Sequence, residues 1–389
     1  MKFDIIIIGG GLVGASLAVA LKDSGLKIAL VESRLPAPLP DDASWDSRIY
    51  AISPGSAAFL REHNVWQKLD HSRLSPVSEM AIFGDDHTSH LNFNAYDIGM
   101  SELAFIAENR QLQSAVWDSL ESPDGNIEVI CPAQCTSIVW HESHVDVQLA
   151  DGNLLQTALV IGADGVNSWV RKQAGIEVSR HPYEQIGLVA NFSTEHSHRQ
   201  IAHQWFRRDG VLAFLPLPDN RVSMVWSTTE AQAAELKELP EAELCQRVAE
   251  ASEHTLGELQ LITPPVGFPL NFVHVKELIR PRLVLIGDAA HGIHPLAGQG
   301  VNLGLRDSRE LVKILNDRGL QEDCGDYRLL RRYERARKED ILALELVTDG
   351  LQKLFINKNP TMMRLRNLGF EITNHLPLLK NRLIQHALN

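Results

Sequence analysis

The sequence has little cysteine, no long apolar run and a shortage of positive charge. Its four cysteines, Cys131, Cys135, Cys245 and Cys324, are too few to staple 389 residues. That excludes a disulfide framework and suits a reducing compartment. No stretch of about 18 apolar residues occurs, so no membrane-spanning helix is expected. Lysine and arginine number 37 against 49 acids, a formal net charge of −12, so nucleic acid is not an expected partner. The apolar run Ile5 to Ile8 has no charged leader and runs into Gly9, Gly10 and Gly11. It reads as a buried strand rather than a signal peptide, and cytoplasmic residence is the expectation that follows. Neither an internal repeat nor a low-complexity tract is present.

What is there begins with a βαβ unit. Phe3 to Ile8 reads as a strand, and Leu12 to Ser24 as a helix with Gly25 as its stop. Lys27 to Val31 reads as the next strand, with Glu32 at its end. A βαβ unit this short implies a parallel sheet. The turn Gly9-Gly10-Gly11-Leu12-Val13-Gly14 satisfies G-x-G-x-x-G. Gly9 permits the tight turn, Gly11 lets the backbone approach a pyrophosphate, and Gly14 allows close helix–strand packing. The helix N-terminus offers N–H groups to the phosphates, and Glu32 is placed for a ribose hydroxyl. The motif predicts a dinucleotide without separating NAD from FAD.

Further along, Ser53-Pro54 caps a helix running to about Leu69. Strand-like texture covers Ser78 to Phe93, helix Glu108 to Leu120, and antiparallel strands Glu128 to Leu149. A short buried strand, Leu159 to Ile161, enters Gly162. Strands dominate from Tyr183 to Trp226, Pro281 to Ile286 is another, and helix follows near Gly300 and beyond Tyr333. Residues 1–75, 100–175 and 270–333 therefore read as a discontinuous nucleotide-binding domain. Residues 76–99 and 176–269 read as a β-rich domain, and 334–389 as a helical C-terminal segment.

Two later motifs separate the cofactors. Gly162-Ala163-Asp164-Gly165 is followed by Ser168 and Arg171. Gly287-Asp288-Ala289-Ala290-His291 is followed by Pro295, Gly298-Gln299-Gly300, Asn302 and Asp307. With these, nearly the whole chain resembles the para-hydroxybenzoate-hydroxylase-like flavin monooxygenases. His294 to Gly304, Phe214-Leu215-Pro216-Leu217 and Arg331 to Arg335 resemble one branch, the ubiquinone-biosynthesis hydroxylases, which act on polyprenylated phenols. The resemblance implies an α/β fold, with a Rossmann-type FAD-binding domain, an interleaved β-rich substrate domain and a helical C-terminus. It implies FAD as cofactor, and O2, a polyprenylated phenol and NAD(P)H or another electron donor as partners. Other ubiquinone-biosynthesis proteins or a membrane surface join that set.

Carried over motif by motif, Asp288 holds the ribityl chain, and Arg48 and Arg110 contact the cofactor. Asp164 either orders backbone amides or touches the cofactor, and Arg171 is either part of the site or a surface charge. Pro295, Gly298, Gln299, Gly300, Val301 and Asn302 form the loop that receives the isoalloxazine ring. In this family reduced flavin adds O2 at C4a and the phenol ring attacks the distal oxygen. Phe214, Leu215, Pro216 and Trp226 are the expected substrate-cavity residues, with core packing as the alternative.

No catalytic base stands out: His203, His291 and His294 each read as structural. No metal site is expected. Cys131 and Cys135 lack partners, His291-x-x-His294 lacks a third ligand, and His87/His90 and His141/His144 read as surface turns. A second G-x-G-x-x-G is missing, so a nicotinamide donor would bind transiently. The ring position hydroxylated is not specified. One rival is a different flavin chemistry, halogenation or isoprenoid reduction, but no Trp-x-Trp pair is present. Another is a binding protein that kept the fold and lost the chemistry, yet Gly287 to Asp307 keeps every motif residue. Finally, 351–389 holds six basic residues and one acid, a net +5 that leaves −17 for the rest. Its spaced apolar residues suit either self-packing or peripheral docking on anionic lipid.

Overall fold

The computed structural model describes residues 1–84, 90–121, 125–207, 209–292, 299–319 and 322–356. Strand β1 (Lys2–Ile8), helix α1 (Leu12–Ala20) and strand β2 (Ile28–Val31) form the expected βαβ unit. Ile5, Ile6 and Ile7 are fully buried, as a strand covered on both faces of a parallel sheet must be. The helix ends sooner than its apolar pattern suggests, and the chain turns at Gly25 with φ +72°. The parallel core runs in the order Leu283–Leu285, β3 (Leu154–Gly162), β1, β2 and Ile127–Ile130. An antiparallel hairpin, Cys135–Trp140 with Val145–Leu149, extends from β3. Ser53 caps helix α2 (Pro54–Glu62), its hydroxyl accepting from the Ser56 amide at 3.2 Å.

A second sheet of eight strands stands beside the first. Its long members are β4 (Val178–Thr194), β5 (Ile201–Arg207), β6 (Gly210–Leu217), β7 (Arg221–Thr229) and β8 (Leu259–Val275). The order is His291–Gly292, β8, β4, β7, β6, β5, Glu79–Phe83, His90–Asn94. Residues 270–275, grouped by sequence with the nucleotide-binding segments, continue β8 here and pair with β4. Between β7 and β8 lie two helices outside the sequence reading, α4 (Glu230–Glu238) and α5 (Glu241–Ala251). Their Leu236, Leu244 and Val248 cover one face of this sheet, against Leu188, Phe192, Trp205, Phe214 and Trp226. Covering one face leaves the other free to line a cavity. Helices α6 (Gln299–Asn316) and α7 (Tyr327–Ile356) close the parallel sheet, with the Tyr333 hydroxyl donating to the Leu285 carbonyl at 3.2 Å. Among the described residues no helix is long and apolar enough to cross a membrane.

The covered face carries a titration. His203 packs beside Phe83 and Trp205, with ring centroids 6.4 and 5.7 Å away. Burial, with His198 adding to it, pushes its imidazole down to about 4. Between about pH 6.5 and 4 the unfolded chain takes a proton that the folded chain refuses. Stability is therefore complete above pH 6.5 and falls on acidification, by about 2–3 kcal/mol at pH 4. Urea midpoints measured at pH 7, 5.5 and 4.5 should drop in the native chain and drop less in His203→Gln. Parallel curves for the two proteins would refute the assignment.

Candidate active site

One cavity of about 1730 Å³ runs between the two sheets. That exceeds the roughly 300–1,000 Å³ of a site for one drug-sized ligand, and leaves room for an extended dinucleotide together with a second molecule. It is lined by Gly9, Gly11, Glu32 and Asp164, by Arg48, Tyr50, Gly287 and Asp288, by Gly300, Val301 and Asn302, and by residues of the uncovered face of the second sheet.

The glycine turn is built for close approach. A Cβ on Gly9 would lie 2.4 Å from the Ala163 carbonyl oxygen, and one on Gly14 would lie 2.1 Å from the Gly9 carbonyl oxygen. These two glycines are demanded by the protein's own packing. A Cβ on Gly11 meets nothing within 4 Å: the space it leaves belongs to the cavity. Gly11 also caps α1 with no side-chain hydrogen bond, so the first amides of that helix and its positive dipole end are left for an anion. Glu32, at the end of β2, accepts from the Gly10 amide at 2.6 Å through one oxygen and from the Ser33 amide at 2.7 Å through the other. Gln113 and Trp117 brace the same turn, each donating to the Gly10 carbonyl, at 2.7 and 2.8 Å. Sequence reasoning passed over both. The signal was the spacing Asn109, Gln113, Trp117, one stripe of helix α3 (Asn109–Trp117).

Asp164 orders the start of the next short helix, one carboxylate oxygen accepting from the Trp169 and Val170 amides at 2.7 and 3.0 Å. Its second oxygen is buried with no hydrogen-bond partner among the described residues, which suits a ligand donor in the cavity. Arg171 is not at the surface. It is 1% exposed and ties two motifs together, donating to the Ala289 carbonyl at 2.7 Å and to the Val166 carbonyl at 2.8 Å. Arg48 faces the cavity beside Tyr50, its guanidinium 5.3 Å from the ring centroid. Burial pushes the Tyr50 phenol up.

Arg110 takes another place than the one its motif implied. It pairs with Glu108 at 2.9 Å and also donates to the Ser44 carbonyl. Glu108 is 1% exposed and holds Arg73 as well, at 2.6 Å. A carboxylate this deep draws both guanidinium groups toward itself, and Arg110 is absent from the described cavity wall.

Asp288 is exposed to the cavity, next to Gly287 at φ +58°. Gly300 has open space where a Cβ would be. Asn302 is 1% exposed and serves as a clamp: its carbonyl accepts from the Ser53 amide and its amide donates to the Ala51 carbonyl, both at 2.8 Å. It aligns the start of α6 with α2. Gln299 begins α6. Pro295, Gly298 and His294 lie outside the described residues, as do His87 and all of 357–389.

The sheet wall corrects one reading. Strand side chains alternate between faces, so only every second residue reaches the cavity. Leu215 lines it, with Val211, Ala213 and Val225. Phe214 and Trp226 are fully buried on the opposite face against α4 and α5, and Pro216 shares Phe214's parity and is also absent from the lining. Arg306, unremarked in the sequence, lines the cavity at 6% exposure and pairs with Asp340 at 3.6 Å.

None of the described lining residues is a histidine. His291 is 1% exposed and donates to Asp307 at 2.6 Å. All four cysteines are free thiols, and burial pushes the Cys135 thiol up to about 12. His141, His144 and Asp146 do meet at a hairpin tip, His141 Nε2 lying 3.1 Å and His144 Nε2 3.6 Å from the Asp146 carboxylate.

A cradle with these open glycines fits an adenine dinucleotide, and comparison with known proteins names it. The FAD binding domain family model matches residues 2–346, so the cofactor is FAD and the chain is a flavoenzyme. The 3-demethoxyubiquinol 3-hydroxylase of Escherichia coli (strain K12) is 36% identical over 389 residues, covering 99% of this chain and 98% of its own. The mitochondrial ubiquinone biosynthesis monooxygenase of Danio rerio is 32% identical over 435 residues, covering 99% and 89%. The chain belongs to the ubiquinone-biosynthesis hydroxylases, a family of FAD-dependent aromatic monooxygenases. Among solved structures, the probable FAD-dependent monooxygenase PqsL of Pseudomonas aeruginosa superposes with a TM-score of 0.80 at 22% identity, covering 96% of this chain and 100% of that one. The p-nitrophenol 4-monooxygenase of Pseudomonas putida DLL-E4 gives 0.78 at 16%, covering 100% and 99%. These two likenesses show a shared fold.

Proposed function

We propose that the chain hydroxylates the aromatic ring of a polyprenylated phenol on the route to ubiquinone. The observation that carries this is the continuity of the cavity, from the glycine turn to the apolar wall of Ala202, Ala213, Leu215 and Val225. A cofactor lying along the first stretch would share one continuous cavity with an aromatic ring lying against the second. Bound FAD supplies the activation of O2. The chain's own groups bind, orient and exclude water. The uncapped N-terminus of α1 would take the pyrophosphate, Glu32 a ribose hydroxyl and Asp288 a ribityl hydroxyl. The start of α6 at Gly300 and Val301, on the cavity wall, would offer its amides and positive end to the flavin ring. Without an apolar wall, water would release the activated oxygen as peroxide. NAD(P)H or a partner protein delivers the electrons, and the basic segment 351–389 suits either packing on the protein itself or docking on an anionic membrane surface. Residues 1–75, 100–175 and 276–333 act as the FAD-binding domain and the second sheet as the substrate domain.

Purified protein should be yellow, and should consume O2 and reductant in the presence of a prenylated phenol, with the product heavier by one oxygen. Absence of ring-hydroxylated product from flavin-loaded protein refutes the reading. Leu215→Ala opens the wall beside the flavin and should raise peroxide formed per product at least several-fold. Phe214→Leu lies on the far face and should leave that ratio alone while lowering stability by about 1–2 kcal/mol. Identical coupling in the Leu215 variant removes that side chain from the substrate wall.

A further inference from the structure

We propose that Gln204 forms a polar subsite in the apolar wall, and that it holds an oxygen substituent on the ring of the bound substrate. The inference rests on the aromatic-hydroxylase reading above and deepens it.

Strand β5 presents Ala202, Gln204 and Phe206 to the cavity, while His203 and Trp205 turn to the packed face. Gln204 pairs across to Ala213 on one side and to Ile82 on the other. The cavity lining supplied by Glu79–Phe83, His90–Asn94 and β5 to β7 is Met80, Ile82, Phe93, Ala202, Phe206, Val211, Ala213, Leu215 and Val225, with Gln204 and Ser227 as the polar exceptions. Ser227 stands opposite Val211 on β7, two strands away from Gln204, about 10 Å across the sheet at the usual strand spacing. Gln204 is thus an isolated amide among apolar groups.

The residue is only 8% exposed, its side chain makes no hydrogen bond among the described residues, and its amide is not among the fully buried unpartnered groups, so it opens onto the cavity. An amide with apolar protein neighbours and no protein partner bonds only with what fills the cavity, water or a ligand. Strand propensity offers no reason for glutamine, since a β-branched or aromatic residue suits this pleated surface better. The position therefore conflicts with its local surroundings in the manner of a functional site. An amide both donates and accepts, so it matches a phenolic hydroxyl, which does the same. An alkyl tail has no such group, so the contact fixes the ring and leaves the tail to the surrounding apolar side chains. By setting which oxygen meets the amide, Gln204 sets which ring carbon faces the flavin.

The test uses FAD-loaded protein and two probes, 2-prenylphenol and prenylbenzene, which differ in the hydroxyl alone. Binding is read from the change in flavin absorbance, so turnover is not needed. The native protein should favour the phenol by about 10-fold or more. Gln204→Leu should lose most of that preference by weakening the phenol and keeping prenylbenzene, with unchanged flavin content. Its thermal midpoint should stay close to native, since the amide holds no partner within the described protein. A Gln204→Leu protein that keeps the full preference overturns the proposal. So does one that loses both probes together with several degrees of stability, because that marks Gln204 as structural. If the flavin-loaded native protein binds neither probe, the aromatic-hydroxylase reading fails instead.

Discussion

Gly11→Val should give a folded protein without flavin. A Cβ at this position meets nothing of the protein within 4 Å, so the chain can hold the larger side chain. What valine fills is the space the pyrophosphate needs, over the uncapped N-terminus of α1. Loss of cofactor should be nearly complete: the purified variant is colourless, inactive and native-like in secondary structure. Gly14→Val makes the same chemical change three residues on and should behave differently. Its Cβ would lie 2.1 Å from the Gly9 carbonyl oxygen and 2.9 Å from Ala163 Cβ, so α1 cannot pack on the sheet and soluble protein should be lost. Flavin absorbance and circular dichroism of the two variants decide the matter. Flavin retained by Gly11→Val would remove the turn from the cofactor site, and a soluble, yellow Gly14→Val would refute the packing role.

The contrast shows what the sequence made legible. The strand–turn–helix around Gly9 to Gly14 was readable because each residue there answers to a local rule: apolar run, turn, cap and 3.6-residue period. The motifs around Asp164 and Asp288 were readable as motifs, but the parts played by their residues were not. Nothing in the sequence says that Arg171 reaches the Ala289 carbonyl across 118 positions, or that Glu108 draws Arg110 from the cavity. Such pairings are made by the tertiary fold. The wall strands failed differently. Phe214-Leu215-Pro216-Leu217 was rightly a strand, but a run apolar on both faces hides its own parity, since α4 and α5 bury the side that solvent would otherwise mark. Those helices escaped notice because their sequences are highly charged and lie between strands. Leu259–Val275 escaped because Pro264, Pro265 and Pro269 interrupt its pattern, and proline argues against a strand interior.

Asp307→Ala should be strongly destabilising, by about 3–5 kcal/mol. The carboxylate is fully buried. One oxygen accepts from the Gly287 amide at 2.9 Å and from His291 at 2.6 Å, and the other from Arg337 Nε at 2.7 Å. Arg337 in turn reaches Asp340 at 2.7 Å, which also pairs with the cavity residue Arg306. One side chain thus joins helix α6, helix α7, the loop bearing Asp288 and the strand after it. Burial alone would raise the carboxyl, but His291 and Arg337 outweigh it and hold it below its ordinary value of 3.8. The pairing therefore contributes fully above that value and is lost as acid protonates the folded form. Removing the carboxylate leaves the Arg337 charge buried at 6% exposure with Asp340 alone beside it, and frees the Gly287 amide. The loop carrying Asp288 then loses its anchor, so flavin affinity should fall together with stability. Asp307→Asn keeps the shape and an acceptor while removing the charge, and should fall between alanine and native. Urea unfolding of the flavin-free proteins isolates the structural loss, and flavin titration isolates the second effect. A Asp307→Ala midpoint within about 1 kcal/mol of native would show that the network is not what holds the cofactor loop in place.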